Sequence, residues 1–126
     1  MKEIAKKILK SIPVDITKNQ KYDSQSKAII KKALSTNGTF VDVGCHKGEI
    51  LDLAISAGRK TGHIGFEAIP KFASALTEKY PDHTIYNLAL GAEKGETKFN
   101  FVESNPAYSG IKQREYVKEE SITEIV

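Results

Sequence analysis

The sequence predicts an α/β fold, a parallel sheet with flanking helices. Three observations carry this. Short β-branched or aromatic runs recur at residues 39–43, 63–67 and 84–88, segments with apolar residues at helical spacing lie between them, and glycine or proline marks most junctions. Strands that alternate with helices in this way pair in parallel through right-handed crossovers.

Taken in order, Ile4, Ile8 and Ile12 recur one turn apart with Lys2, Lys6, Lys7 and Lys10 on other faces, which predicts a short amphipathic helix ended by Pro13. The polar stretch 17–21 reads as a linker. The expected division is therefore an N-terminal helix and linker, 1–22, and a ligand-binding domain, 23–126. Asp23 or Ser24 can cap the next helix, with Ala28, Ile29, Ala33 and Leu34 as its inward stripe and Asn37-Gly38 as its end.

Residues 39–43 form the first expected strand, and Gly44 closes it. A helix over 49–57 should bury Ile50, Leu53, Ala54 and Ala57 and stop at Gly58. The second strand is 63–67. Pro70 suits the first turn of the following helix, where its missing N–H costs nothing; Phe72, Ala73, Leu76 and Tyr80 face inward and Pro81 ends it. Residues 84–88 form the third strand. Residues 97–101 alternate apolar and polar, predicting a half-exposed strand added to the sheet or paired as a hairpin. A loop over 104–110 and a charged stretch over 112–120 follow, and 122–126 alternates like the start of another strand.

At 126 residues the chain suits one hydrophobic core. The formal charge of +3 comes from lysines interleaved with glutamates, which makes no nucleic-acid footprint. Cys45 is the only cysteine, so no intrachain disulfide can form, and a reducing compartment fits. No apolar run reaches bilayer length, so no membrane partner and a cytoplasmic location are expected. His63 and His83 lack the paired spacing of metal ligands, and no metal site is expected.

The chemistry concentrates in Val41-Asp42-Val43-Gly44-Cys45-His46-Lys47-Gly48 and Gly65-Phe66-Glu67. A strand, a glycine turn, a helix whose N–H groups face the turn and a second strand ending in a carboxylate together make a nucleoside-cofactor site. Gly44 and Gly48 let the backbone turn sharply and approach a ligand. Glu67 stands where a second-strand acid accepts hydrogen bonds from both ribose hydroxyls. His46 occupies the position where a dinucleotide site needs glycine, so pyrophosphate is disfavoured. Asp42 suits a ligand with a cationic amino-acid end, which describes S-adenosylmethionine. It can equally bond N–H groups of its own loop, and the whole motif can be a tight turn with no ligand.

The continuation, Gly-Phe-Glu-Ala-Ile-Pro at 65–70, then Asn87-Leu88-Ala89-Leu90-Gly91 and Lys94-Gly95-Glu96-Thr97-Lys98-Phe99, resembles the FkbM family of S-adenosylmethionine-dependent methyltransferases over residues 39–111. The resemblance implies a Rossmann-like class I methyltransferase fold and O-methylation of a saccharide or small-molecule hydroxyl. Cys45-His46 replace a pair of small residues, and the family's later acidic D-x-E-G segment does not occur before Val126, so the sheet is expected to be incomplete. Cofactor contacts are expected from Asp42, Gly44, Cys45, His46, Gly48, Glu67, Ala68, Ile69, Asn87, Leu88 and Ala89. Ala68 and Ile69 would present apolar surface to adenine, and Asn87, Leu88 and Ala89 would meet its other side. No residue stands out as the catalytic base; Tyr108 and Ser109 are candidates for the rim. Exposed apolar surface beside an incomplete sheet also leads one to expect a homo-oligomer. Two other classes remain open: a non-catalytic nucleotide-binding or assembly domain, and a dinucleotide-binding oxidoreductase module.

Overall fold

The computed structural model describes residues 20–112 and 122–125. Helix α1 (Gln20–Leu34) leads into strand β1 (Val41–Val43), helix α2 (Glu49–Ala57), strand β2 (Ile64–Phe66), helix α3 (Pro70–Lys79) and strand β3 (Thr84–Tyr86). Strand β4 (Phe99–Val102), a 3-10 turn (Pro106–Tyr108) and strand β5 (Ile122–Ile125) complete it. The expected helix over residues 1–13 and the charged stretch beyond Lys112 lie outside the described residues.

The α/β reading holds. β1, β2 and β3 make a three-stranded parallel sheet in that order, with Val41 opposite Ile64 and Ile64 opposite Thr84. β4 takes the second of its two expected forms, pairing antiparallel with β5 in a separate sheet. Within the alternating stretch, Ile122–Ile125 thus pairs with β4, Val102 opposite Ile122, and does not extend the parallel sheet.

Local chemistry explains the boundaries. Gly58 ends α2, its N–H donating to the Ala54 carbonyl at 3.0 Å; Pro70 opens α3 in its first turn; and Asn37, at φ 65, turns the chain after α1. α1 begins at Gln20, so Asp23 falls in its first turn and the expected boundary at 22/23 lies within the helix. Two inward stripes match expectation in part. Leu34 is buried and Ile30 half-buried in α1, whereas Ala28, Ala33 and the 68% exposed Ile29 face outward. In α2 the expected Ala54 is buried and Leu53 and Ala57 are half-buried, but Leu51 is buried in place of Ile50, which is exposed. Where an expected isoleucine faces outward, its neighbour, Ile30 or Leu51, takes the inward place, because a one-residue step turns a side chain about 100°.

The core lies between the sheet and α2 and α3, where Cys45, Leu51, Leu76 and Tyr80 meet Phe40, Ile55 and Ile85. Gly65 lies at its centre: a Cβ there would come 2.7 Å from Cys45 Sγ and 2.8 Å from Ile85 Cδ1. The opposite sheet face is open, with Val41, Val43 and Tyr86 exposed by 49, 60 and 44%. No described helix is long and apolar enough to cross a membrane.

A candidate nucleoside site at the strand ends

Beyond β1 the chain folds over the end of β2. The Gly44 and Cys45 N–H groups both donate to the Phe66 carbonyl, at 2.8 and 3.2 Å, and the Gly48 N–H returns to the Cys45 carbonyl at 2.8 Å. Gly44, His46 and Gly48 all have positive φ, at 81, 52 and 85°. His46 is the one of the three that carries a side chain, and left-handed backbone is costly for it, so the surroundings must hold it there.

Glu67 does so. Its Oε2 accepts the His46 N–H at 2.7 Å and its Oε1 accepts the Ile69 N–H at 2.9 Å, within a site where Glu67 is only 5% exposed. Glu67 therefore pins the glycine turn to the start of α3. An ionised carboxylate has about four lone-pair directions, so two acceptances leave room for ribose hydroxyls. The His46 ring lies edge-on to Phe72 with centroids 5.0 Å apart, and its Nδ1 is 3.9 Å from a Glu49 oxygen.

The two glycines differ in what surrounds them. A Cβ on Gly44 would meet nothing within 4 Å, whereas one on Gly48 would strike the Tyr80 ring, 2.8 Å from Cε2. Gly44 opens on free space where a ligand can approach bare backbone. Gly48 is required by packing.

A cleft of about 340 Å³ opens at Gly44, bounded by Val43, Phe66, Glu67, Ala68, Leu88, Ala89, Leu90, Phe99, Ser109 and Ile111. A second, of about 280 Å³, shares Ala68, Leu88, Ala89 and Phe99 with it and adds Asn87, Gly95, Glu96 and Thr97. The structure thus brings together Gly44, Glu67, Ala68, Asn87, Leu88 and Ala89. Asn87 Nδ2 donates to the Glu67 and Ala68 carbonyls at 2.8 and 3.0 Å, so its amino group holds the turn after β2. Ser109 lines the cleft, but Tyr108 does not appear among its walls.

Two expected contacts lie in the core instead. Ile69 is 4% exposed, and Cys45, also 4% exposed, turns its thiol beneath the sheet, 3.4 Å from the Asp42 carbonyl oxygen. Burial, reinforced by the Asp42 carboxylate, pushes the Cys45 thiol up to about 12. Phe99, Leu90 and Ile111 are cleft residues that the pattern did not single out. The apolar alternation around Phe99 was visible, but its return to the strand ends is a long-range event.

Asp42 carries the most telling electrostatics. Its Oδ2 is buried without a hydrogen-bond partner. Burial raises its pKa; the Cys45 thiol opposes this, and the carboxylates of Glu67 and Glu49 add to it. A buried acceptor among like charges is poorly satisfied until a donor or cation arrives. The same surroundings disfavour pyrophosphate. Among the described residues no group of three His, Cys, Asp or Glu side chains could hold a metal ion. No family model matches this chain, and no curated protein or solved structure matches it.

Proposed function

We propose that the chain is a class I, FkbM-like S-adenosylmethionine-dependent methyltransferase domain of the cytoplasm, acting on a hydroxyl of a saccharide or small molecule. The observation that carries the reading is the open Gly44 backbone in a cleft that Glu67 also lines, two residues after Asp42, whose buried Oδ2 has no hydrogen-bond partner although Asp42 is not among the cleft walls. The residues fit the cofactor. Gly44 leaves space for its amino-acid portion, Asp42 provides an acceptor and negative charge for the ammonium, Glu67 has free lone pairs for the ribose, and Ala68, Leu88 and Ala89 supply apolar walls for the base. S-adenosylmethionine supplies, when bound, a methyl group activated on a sulfonium. The chain's part is to bind and align the cofactor and exclude water from one side; the group that takes the acceptor's proton is not assigned.

A second reading has its own observation. Glu67 already bonds two backbone N–H groups and Gly48 already accommodates Tyr80, which suits a non-catalytic domain that keeps the turn for stability. Calorimetric titration separates the two. S-adenosylmethionine and S-adenosylhomocysteine should bind and NAD should not, and tritiated methyl should reach at least one acceptor in a panel of saccharides and small-molecule alcohols. No binding of either adenosyl ligand, or binding without transfer, would favour the second reading, and tighter binding of NAD would return the oxidoreductase module.

A further inference from the structure

The glycine turn is held from two directions. Glu67 grips it at His46, and the end of α3 grips it at Lys47 and Gly48. Tyr80, 6% exposed, divides its hydroxyl proton between the Gly48 carbonyl oxygen at 3.0 Å and Asp52 Oδ1 at 2.7 Å. Lys79 Nζ donates to Asp52 Oδ2 at 2.9 Å and to the Lys47 carbonyl at 3.4 Å. The Gly48 carbonyl also accepts the Asp52 N–H at 2.8 Å, so the first turn of α2 and the grip from α3 share one oxygen. Gly44 alone is left clear.

We propose that Tyr80 and Asp52, with Lys79, form a positioning latch that fixes the shape of the turn at residues 45–48 and thereby sets the affinity of the site for its nucleoside cofactor. The ligand consequence rests on the function proposed above, while the conformational one does not. None of the three residues touches the cleft that opens at Gly44, so their action on a ligand is indirect. Their ionisation fits the arrangement. Burial works against the Asp52 carboxylate, yet hydrogen bonds from Lys79 and Tyr80 prevail and lower its pKa. Hydrogen bonding to Tyr80 and then to Asp52 pushes the Lys79 ammonium up to about 12. Asp52 and Lys79 are thus oppositely charged throughout the neutral range. A fixed turn saves the ligand the entropy of ordering it, which is the usual source of affinity in a preorganised site.

Tyr80→Phe keeps the ring against Gly48 and removes only the hydroxyl. Site-resolved hydrogen exchange should show the amides of His46 and Gly48 opening about tenfold faster, the factor that follows from one net hydrogen bond, with those of β2 and β3 unchanged. The S-adenosylhomocysteine dissociation constant should rise by a similar factor. Asp52→Asn should act in the same direction, and the double variant should be no worse than the stronger single one, because all remove one coupled unit. Unchanged exchange in the turn, or faster exchange spread evenly over the domain, would overturn the latch. If the unmodified chain does not bind S-adenosylhomocysteine, the proposed function falls and the exchange comparison decides the latch alone. If it binds and Tyr80→Phe binds equally well, the latch does not govern the site.

Discussion

Glu67 Oε2 accepts the backbone N–H of His46 at 2.7 Å, across a sequence separation of 21 residues, and so joins the end of one parallel strand to the turn that follows its neighbour. The residue that reads as the ribose ligand is also the brace of the turn over which the ribose would lie. Under the proposed function, this one carboxylate couples stability to affinity.

Glu67→Gln makes that coupling measurable. The amide must direct an NH₂ group at one of two backbone N–H donors, leaving a buried donor unsatisfied, which costs about 1–3 kcal/mol. Urea unfolding should show the loss directly, and affinity for S-adenosylhomocysteine should fall at temperatures where the variant is still folded. Native stability in Glu67→Gln would show that the two short bonds do not brace the turn.

The glycines should respond differently to one methyl group. At Gly44, φ 81 with open space around a Cβ, alanine should cost only the left-handed backbone strain of about 1–2 kcal/mol while obstructing the ligand's approach. At Gly48 the same strain is joined by collision with the Tyr80 ring, so Gly48→Ala should lower the thermal midpoint further. Parallel thermal melts and titrations check both. Normal binding by Gly44→Ala would place the ligand elsewhere.

Much of this was legible in the residues. Gly58, Pro70 and Pro81 act locally, through a cap, a fixed φ and a missing donor, so the ends of α2 and α3 could be read directly. The phase of the helices was harder, since adjacent apolar pairs, Ile29-Ile30 and Ile50-Leu51, define a stripe only once the sheet beside them is known. The pairing of β4 with β5 joins Phe99 to Ile125, and a contact at that separation leaves no local trace. At the site, Gly44 and Glu67 were visible as residue types at a spacing. That Gly48 serves Tyr80, and that Cys45 and Ile69 point into the core, depends on tertiary packing.

Cys45 offers a direct check of that packing. With its thiol pushed up to about 12 by burial and 4% exposed, it should be inert to iodoacetamide at neutral pH in the native protein and react in full after denaturation. Mass spectrometry of the alkylated protein reads the outcome. Rapid native labelling would contradict a thiol beneath Gly65.

The last prediction concerns acid. His63 is fully buried, and its Nδ1 accepts the Phe40 N–H at 3.0 Å, while Nε2 lies 2.9 Å from the Arg59 carbonyl oxygen. That pairing assigns the proton to Nε2 and leaves Nδ1 as an acceptor. One step along, His83 Nδ1 accepts the His63 N–H at 3.1 Å, and the two rings stack with centroids 5.2 Å apart. Two imidazoles thus close the backbone at the starts of β1 and β2. Protonating His63 would set an N–H against the Phe40 N–H. Its pKa is lowered, first by burial, with His83 and Arg59 adding to the effect and the Arg59 carbonyl opposing it. A histidine depressed in the folded state favours the neutral fold, so its contribution is complete above the unfolded value near 6.5 and is lost as pH falls through that value toward the lower folded one. Stability from urea titrations should therefore decline as pH drops below about 6.5. In His63→Gln, whose amide can still accept from Phe40 and donate to Arg59, the protein should be less stable at neutral pH but less acid-sensitive. A wild-type profile flat from pH 7 to 5, or one that His63→Gln leaves unchanged in slope, would remove His63 as the acid-sensitive joint of the sheet.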